Sequence, residues 1–295
     1  MNLSSNELKA LHDLAVETAK EAGAHIQSRV HNHGGPQTKD SGDTLASQVV
    51  TEVDHESQDL ILSRLTDSII DYELGLLTEE SEDNSSRHEK EAFWCIDPID
   101  GTLPFTEGAP GYSVSIALVS REGKPLIGVI HDPVIQTTYH AFLGGEAMRD
   151  GNIISPGDEY SASHLTWTQD RSMKKSIDNA RAREFVEELA FREGFDGLKI
   201  LDHAGSVLNA CWVTQNQPAV YFKFPKPTQG GGSVWDFAAT ACLFNEWGQP
   251  PTDIHGEPLN LNPEGSTFMN EKAVVYASSP ELRKAIHEFY RDLKA

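Results

Sequence analysis

The stretch WCIDPIDGT, residues 94–102, decides the fold of this chain and points to a site within it. It places two carboxylates, Asp97 and Asp100, three residues apart where an apolar strand is expected to end. Pro98 cannot donate to a strand ladder and Gly101 favours a turn, so we expect the backbone to turn sharply here. Such a turn would aim both carboxylates at one point. The sequence therefore predicts an acidic site at the end of a buried strand.

Two other acidic positions extend this pattern. The cluster LTEES (77–81) precedes the stretch by one predicted loop, and Trp235-Asp236 opens a helical pattern far downstream. Oxygen donors that converge from three chain positions suit Mg²⁺, and two such ions roughly 3.5–4 Å apart could clamp a phosphoryl group. The amides of Gly101 and Thr102 could bind an anion at the start of the next segment. Together these features predict hydrolysis of a phosphate ester.

The hydrophobic pattern around this stretch predicts mixed helices and strands. A capping box of Ser4 and Glu7 starts a helix that we expect to end near Gly23. Four strands of one sheet are predicted at 92–96, 112–119, 126–131 and 137–143, after a second helix that starts at Asp54. Beyond residue 150, helices are predicted at 178–193, from Ser206, at 235–247 and from Pro280, and strands at 199–201, 219–224 and 273–277. This change predicts an N-terminal α+β domain, residues 1–150, and a C-terminal α/β domain, residues 151–295.

Composition narrows the class of protein. The 295 residues, 38% hydrophobic and 23% charged, are typical of a globular protein and exclude disordered and collagen-like chains. A net charge of −21 argues against binding of nucleic acid polymers or anionic membranes. The three cysteines form no paired motif, and the sequence shows no apolar leader or membrane span. We therefore expect a cytoplasmic protein that acts on a small molecule.

Four motifs in this order resemble those of one known family. They are EES (79–81), W-x-x-DPIDGT (94–102), GSV (205–207) and WDFAA (235–239), and the likeness runs from about residue 7 to residue 290. The family is that of the inositol monophosphatases, Mg²⁺-dependent and lithium-sensitive phosphomonoesterases that include the 3′(2′),5′-bisphosphate nucleotidases. The resemblance implies a layered αβαβα sandwich of the inositol monophosphatase/fructose-1,6-bisphosphatase type, within the mixed α+β and α/β classes. It also implies two or three Mg²⁺ ions and a homodimer.

The resemblance assigns the metal ligands residue by residue. Glu79, Asp97 and the backbone carbonyl of Ile99 would bind a first ion. Asp97, Asp100 and Asp236 would bind a second.

Catalytic and substrate-binding roles follow in the same way. Thr102, supported by Asp54, would orient and help deprotonate the attacking water together with Glu79. The residues implied to hold phosphate or substrate are Gly101, Thr102, Ser206, Lys39 and Gln229. The neighbouring Glu80 and Glu82 are expected to face solvent.

Substrate choice stays open at this point. Gln229 stands where inositol-specific members have a glutamate, which leads us to expect a small phosphorylated polyol or sugar rather than strictly inositol monophosphate. Lys223, Lys226 and the sequence TDIHG (252–256) indicate a 3′(2′),5′-bisphosphate nucleotidase as an alternative, although Leu103-Pro104 replaces the Lys-Glu frequent in nucleotidases. The alternative from another class is a non-catalytic acidic protein that binds cations or a partner.

Overall fold

A computed structural model of the chain describes residues 3–32, 34–39, 49–155, 157, 163–176 and 178–294. The α-helices are α1 (Ser5–Arg29), α2 (Glu52–Asp71), α3 (Ser86–Glu89), α4 (Thr102–Thr106), α5 (Asn179–Arg192), α6 (Ser206–Gln215), α7 (Val234–Glu246) and α8 (Pro280–Lys294), and a 3₁₀ helix covers Arg171–Lys175. The strands are β1 (Gln37–Thr38), β2 (Val49–Val50), β3 (Gly75–Thr78), β4 (Ala92–Asp100), β5 (Ser113–Ser120), β6 (Pro125–Asp132), β7 (Thr137–Phe142), β8 (Met148–Arg149), β9 (Asn152–Ile153), β10 (His164–Thr168), β11 (Gly197–Leu201), β12 (Ala219–Phe222) and β13 (Val275–Ala277).

Two large sheets organise these strands. The larger has seven strands in the order β3-β4-β5-β6-β7-β8-β9, in which β3 and β4 are parallel and the other neighbours antiparallel. The smaller has the order β11-β10-β12-β13, in which only the β12-β13 pair is antiparallel. The short strands β1 and β2 pair with each other.

The side chains of β4 divide between two cores, because successive strand residues point to opposite faces of a sheet. Trp94 and Ile96 belong to a core with residues of α1 and α2. Phe93 and Cys95 belong to a core with residues of α6 and α7. Helices thus cover both faces of the seven-stranded sheet, which explains why β4 is a continuous apolar run.

The four-stranded sheet adds the remaining layers. On β12, Ala219 and Tyr221 share the core of α6 and α7, whereas Val220 and Phe222 share a third core with α5 and α8. The layers therefore follow the order helix, sheet, helix, sheet, helix. The predicted αβαβα sandwich is confirmed.

The predicted end of the first helix is wrong. Gly23 lies inside α1, which continues to Arg29. A Cβ atom at Gly23 would lie 2.3 Å from a ring carbon of His131 on β6. Glycine therefore serves here for close approach of α1 to the sheet, rather than for a helix end.

The predicted end of the strand at residue 96 is also wrong, although the turn that Gly101 favours is present. β4 runs through to Asp100, and its pairing with β5 is irregular between Asp97 and Asp100. Pro98 is tolerated there because the ladder is already interrupted. The turn comes at Gly101, whose φ is 88° and where a Cβ atom would lie 2.6 Å from the carbonyl oxygen of Gly111.

The boundary between the sheets lies near the expected domain boundary. The larger sheet ends at Ile153 and the smaller begins at His164, and the division into domains 1–150 and 151–295 stays a prediction. Within the described ranges, no helix has the length and apolar character needed to cross a bilayer.

Candidate metal centre and active site

The irregular pairing in β4 brings Asp97 and Asp100 to the same cavity. In a regular strand, residues three apart point to opposite faces. Asp97 pairs with Ser115 and Asp100 with Ser113, so β4 contains one more residue than β5 between these pairs. This bulge reverses the direction of the second side chain. Both carboxylates line one cavity between the two halves of the chain.

Asp236 joins these two residues from the start of α7. One carboxylate oxygen from each of Asp97, Asp100 and Asp236 lies within 4.8 Å of the others. The Ser233 amide donates to Asp236 Oδ2 at 2.5 Å, so the aspartate also caps its own helix. The structure thus brings together the three side chains predicted for the second metal ion.

Asp97 and Asp100 are buried and Asp236 is partly buried, and the pKa values of these neighbouring carboxylates reflect this. Burial raises the pKa of Asp97 well above its usual range, and the charges of Glu79, Asp100 and Asp236 raise it further. Burial and the Asp236 charge do the same to the pKa of Asp100. Burial raises the pKa of Asp236 to about 6, although Lys223 opposes the rise. Without a cation, the cluster therefore resists full ionisation.

Asp100 also contacts the N-terminus of α6. Its Oδ1 accepts the Ser206 amide and its Oδ2 the Val207 amide, each at 3.0 Å. A Cβ atom at Gly205 would lie 2.2 Å from Asp100 Oδ2. Glycine before α6 therefore lets the carboxylate reach the helix amides, which favour negative charge.

Glu79 follows β3 and extends the acidic wall of the cavity. Lys39 Nζ lies 2.8 Å from Glu79 Oε1 and also contacts Glu80. The expectation that Glu80 faces solvent is wrong, because its side chain is only 3% exposed. Burial and the Glu79 charge raise the pKa of Glu80 to about 7, although Lys39 opposes the rise. Glu82 is exposed, as expected.

Thr102 lies beside the carboxylate cluster and contacts Asp54. Its Oγ1 is 3.1 Å from Asp54 Oδ1 and 3.1 Å from the carbonyl oxygen of Ile99. The second carboxylate oxygen of Asp54 accepts the amide and hydroxyl of Thr51 at 2.8 and 2.6 Å, and Thr51 is the N-cap of α2. The helix therefore begins at Glu52, two residues before its predicted start. Burial raises the pKa of Asp54 to about 6.

Most of the predicted site residues line the cavity. Those that do are Glu79, Asp97, Ile99, Asp100, Gly101, Thr102, Ser206 and Asp236. Asp54 and Lys39 are not lining residues, but each contacts one: Asp54 contacts Thr102, and Lys39 contacts Glu79. Gln229 is exposed and lies outside the lining residues.

Asp170 and Arg171 also line the cavity and were not predicted. They follow β10, and Lys223, which lines the same wall, follows the parallel neighbour β12. Ligand sites of α/β sheets form outside the carboxyl ends of parallel strands. The strand β10 was not predicted, and Lys223 fell inside the predicted strand 219–224. The alternating pattern HLTWT (164–168), followed by the polar residues Asp170 and Arg171, was the signal that could have found this wall.

The TDIHG motif lies outside the cavity lining and has a local structural role. Asp253 Oδ1 accepts the amides of His255 and Glu257, each at 2.9 Å. The carboxylate therefore shapes a turn. This motif gives no structural support to the nucleotidase alternative.

Comparisons with known proteins agree on one family. A sequence profile described as the Inositol monophosphatase family matches residues 7–294. The inositol-1-monophosphatase of Bacillus subtilis is 27% identical over 95% of this chain and 96% of its own. The Nus factor SuhB of Vibrio cholerae is 29% identical over 95% of both chains. The 3′(2′),5′-bisphosphate nucleotidase CysQ of Shigella flexneri is 26% identical over 88% of this chain and 96% of its own.

A solved structure supports the fold. The IMPase of Thermotoga maritima superposes with a TM-score of 0.72 and 22% identity, over 95% of this chain and 98% of that one. At this identity the likeness shows the fold alone.

Proposed function

The chain belongs to the inositol monophosphatase family, and from this premise we propose that it hydrolyses a small phosphorylated polyol or sugar, such as an inositol monophosphate, with Mg²⁺ as cofactor. The predicted enzyme class, a phosphoric monoester hydrolase, is confirmed. The substrate, the identity and number of the metal ions and the residue roles belong to the proposal.

The proposal rests on the carboxylate cluster. Oxygens of Asp97, Asp100 and Asp236 meet within 4.8 Å at the wall of a cavity, and Glu79 lines the same wall. A donor set made only of oxygen suits a hard cation, and Mg²⁺ takes few carboxylates while keeping waters and substrate oxygens. The raised pKa values of the three aspartates indicate a site that a divalent cation would stabilise.

In this proposal Glu79, Asp97 and the Ile99 carbonyl hold a first ion, and Asp97, Asp100 and Asp236 a second. Bound Mg²⁺ would lower the pKa of water and neutralise the charge of the phosphoryl group.

Thr102 and Asp54 are the chain's own proton path. Thr102 Oγ1, 3.1 Å from Asp54 Oδ1, would accept a proton from the attacking water as it passes its own to the carboxylate. Glu79 would help to orient that water. The water oxygen bonds to phosphorus and the ester P–O bond breaks. The leaving alkoxide takes a proton from a solvent water, Asp54 returns its proton to solvent, and the products are an alcohol and phosphate.

Phosphate and substrate would be held by lining residues next to the carboxylates in space or in the chain. Gly101, Thr102 and Ser206 line it and carry amide or hydroxyl donors. Lys39 contacts Glu79 and would lie at the metal rather than at the polyol. The role of Gln229 stays a prediction, as do the homodimer and the cytoplasmic location.

A bisphosphate nucleotidase is a second candidate because of one observation. Arg171 lines the cavity next to Asp170 in the chain, and its Nη1 lies 2.7 Å from Glu107 Oε2. A guanidinium group has further donors that suit a phosphate. A second phosphate on the substrate would find its cation there.

Phosphate release from the purified, EDTA-treated protein tests the proposal. Mg²⁺ should restore activity on inositol 1-phosphate, Li⁺ should inhibit it, and adenosine 3′,5′-bisphosphate should be a poorer substrate. The reverse preference would favour the nucleotidase. No release from either substrate, nor from p-nitrophenyl phosphate, at any Mg²⁺ concentration would favour a non-catalytic protein.

A further inference from the structure

Lys223 is a largely buried lysine in the cavity wall, with a side chain that is 13% exposed. Its ammonium group lies 2.7 Å from Asp170 Oδ2 and 2.8 Å from Ser206 Oγ, and it also contacts the carbonyl oxygen of Gly231. An ammonium group has three N–H donors. Three acceptors therefore use its full hydrogen-bonding capacity.

The three acceptors belong to three different segments. Asp170 follows β10. Ser206 is the first residue of α6, and its amide binds Asp100. Gly231 lies two residues before Ser233, whose amide binds Asp236. Lys223 thus connects the two segments that position two of the three clustered carboxylates.

The glycine segment, residues 230–232, is closely packed against this lysine. A Cβ atom at Gly232 would lie 2.6 Å from the Phe237 ring and 3.2 Å from Lys223 Nζ. The ammonium of Lys223 lies 5.1 Å from the centre of the Phe237 ring. Phe237 directly follows Asp236 in the first turn of α7. A cation over an aromatic face adds attraction in such a site.

Asp170 completes the arrangement from the other side. Its Oδ1 accepts the Tyr221 hydroxyl at 2.9 Å and the Asn209 amide at 3.1 Å, while Oδ2 faces Lys223. Removal of either partner of a buried ion pair leaves an uncompensated charge. A phosphate that bound the ammonium of Lys223 would therefore have to displace Asp170, the Ser206 hydroxyl or the Gly231 carbonyl oxygen.

We propose that Lys223 is a positioning residue for the metal cluster and not a receptor for a second phosphate of the substrate. It holds the start of α6 and the glycine segment before α7, so that Asp100 and Asp236 meet Asp97 at one cation site. This inference rests on the proposed function, but its first test needs no turnover.

The test compares Lys223→Met with the wild-type chain by titration calorimetry with Mg²⁺, without substrate. Residues that orient metal ligands change metal affinity 10–100-fold, so we expect at least a tenfold weaker apparent Kd. Lys174→Met is the matched control, because Lys174 pairs with Asp202 at 2.7 Å on the surface of the same half of the chain. Its Kd should equal that of the wild type.

Kinetics on two substrates separate the two roles. For Lys223→Met we expect kcat to fall by a similar factor on inositol 1-phosphate and on adenosine 3′,5′-bisphosphate. A rise in KM for the bisphosphate alone, with an unchanged Kd for Mg²⁺, would overturn the proposal. If the wild type released no phosphate at all, the proposed function would fail, while the calorimetric comparison would still decide the role of Lys223.

Asp170→Asn keeps the result interpretable if Lys223→Met does not fold. Asparagine keeps one acceptor oxygen, which can face Lys223 while its amide nitrogen donates to the Tyr221 hydroxyl oxygen, but it lacks the charge. We therefore expect a folded protein with a smaller loss of Mg²⁺ affinity. In the double variant, the loss should be less than the product of the two single losses, because the pair acts as a unit. Unchanged Mg²⁺ affinity in Asp170→Asn would count against the proposal, and so would independent effects of the two changes where Lys223→Met folds.

Discussion

The two walls of the cavity treat charge differently. On the acidic wall, the carboxylates of Asp100 and Asp236 accept backbone amides and face each other. On the wall formed by the residues after β10 and β12, Asp170 pairs with Lys223, and Arg171 pairs with Glu107, which lies outside the cavity lining. Carboxylates that repel one another favour the binding of a cation, whereas ion pairs are already neutral. In the proposed function the first wall would bind the metal ions, and the second would support the segments that carry the ligands.

The largest effect should come from the acidic wall. Asp97→Asn should lower kcat for phosphate release at least about 100-fold, because a carboxylate implied to serve both ions becomes neutral. Its melting temperature in EDTA should not fall, since the change removes repulsion among buried carboxylates. Glu122→Gln, at an exposed acid, is the control for both measurements. Full activity of Asp97→Asn would remove the basis for the comparison.

Gly205→Ala should have the next largest effect, because the added Cβ would push the start of α6 away from Asp100. The new Cβ would lie 2.2 Å from Asp100 Oδ2. Overpacking of this kind costs about 1–3 kcal/mol of unfolding free energy, and Mg²⁺ affinity should fall with it. Gly197→Ala is the matched control, since its nearest atom would be at 3.4 Å. Urea unfolding and calorimetry measure both quantities, and equal results for the two variants would contradict the contact between α6 and Asp100.

The sequence contained the acidic wall but not its support. DPIDGT is a local motif, so Asp97, Asp100 and Gly101 could be identified directly, and the capping position of Asp236 follows from its place at a helix start. The bulge that lets Pro98 remain in β4 depends on the partner strand β5, which no local rule describes. Ser206 lies 106 residues from Asp100, and Lys223 meets Asp170 only when β10 and β12 pair. Burial of Glu80 beside Lys39 is likewise a tertiary effect.

A smaller effect is expected in how the stabilisation by Mg²⁺ depends on pH, because the carboxylates of the acidic wall bind protons in the absence of a cation. The folded pKa of Asp236, about 6, exceeds its ordinary value of 3.8. Between these two values the unfolded chain binds fewer protons than the folded one, so this group makes the metal-free protein less stable as pH rises from about 4 to 6. Mg²⁺ competes with those protons. The increase in melting temperature caused by Mg²⁺ should therefore grow from pH 5 to pH 7, and an increase that is the same at every pH would contradict the model of a cation-dependent wall.

The smallest effect should come from the rim of the paired wall. Arg171 and Glu107 form an ion pair whose side chains are 34% and 45% exposed, and such pairs contribute at most about 1 kcal/mol. Arg171→Met should change the unfolding free energy by less than that, with kcat on inositol 1-phosphate unchanged. Because the pair is exposed, a substrate anion can replace Glu107 at little cost, which a buried pair such as Asp170 and Lys223 does not allow. A rise in KM for adenosine 3′,5′-bisphosphate in Arg171→Met, absent in Lys174→Met, would locate recognition of a second phosphate at Arg171. An equal change in KM for both substrates would instead mean that Arg171 has only a structural role.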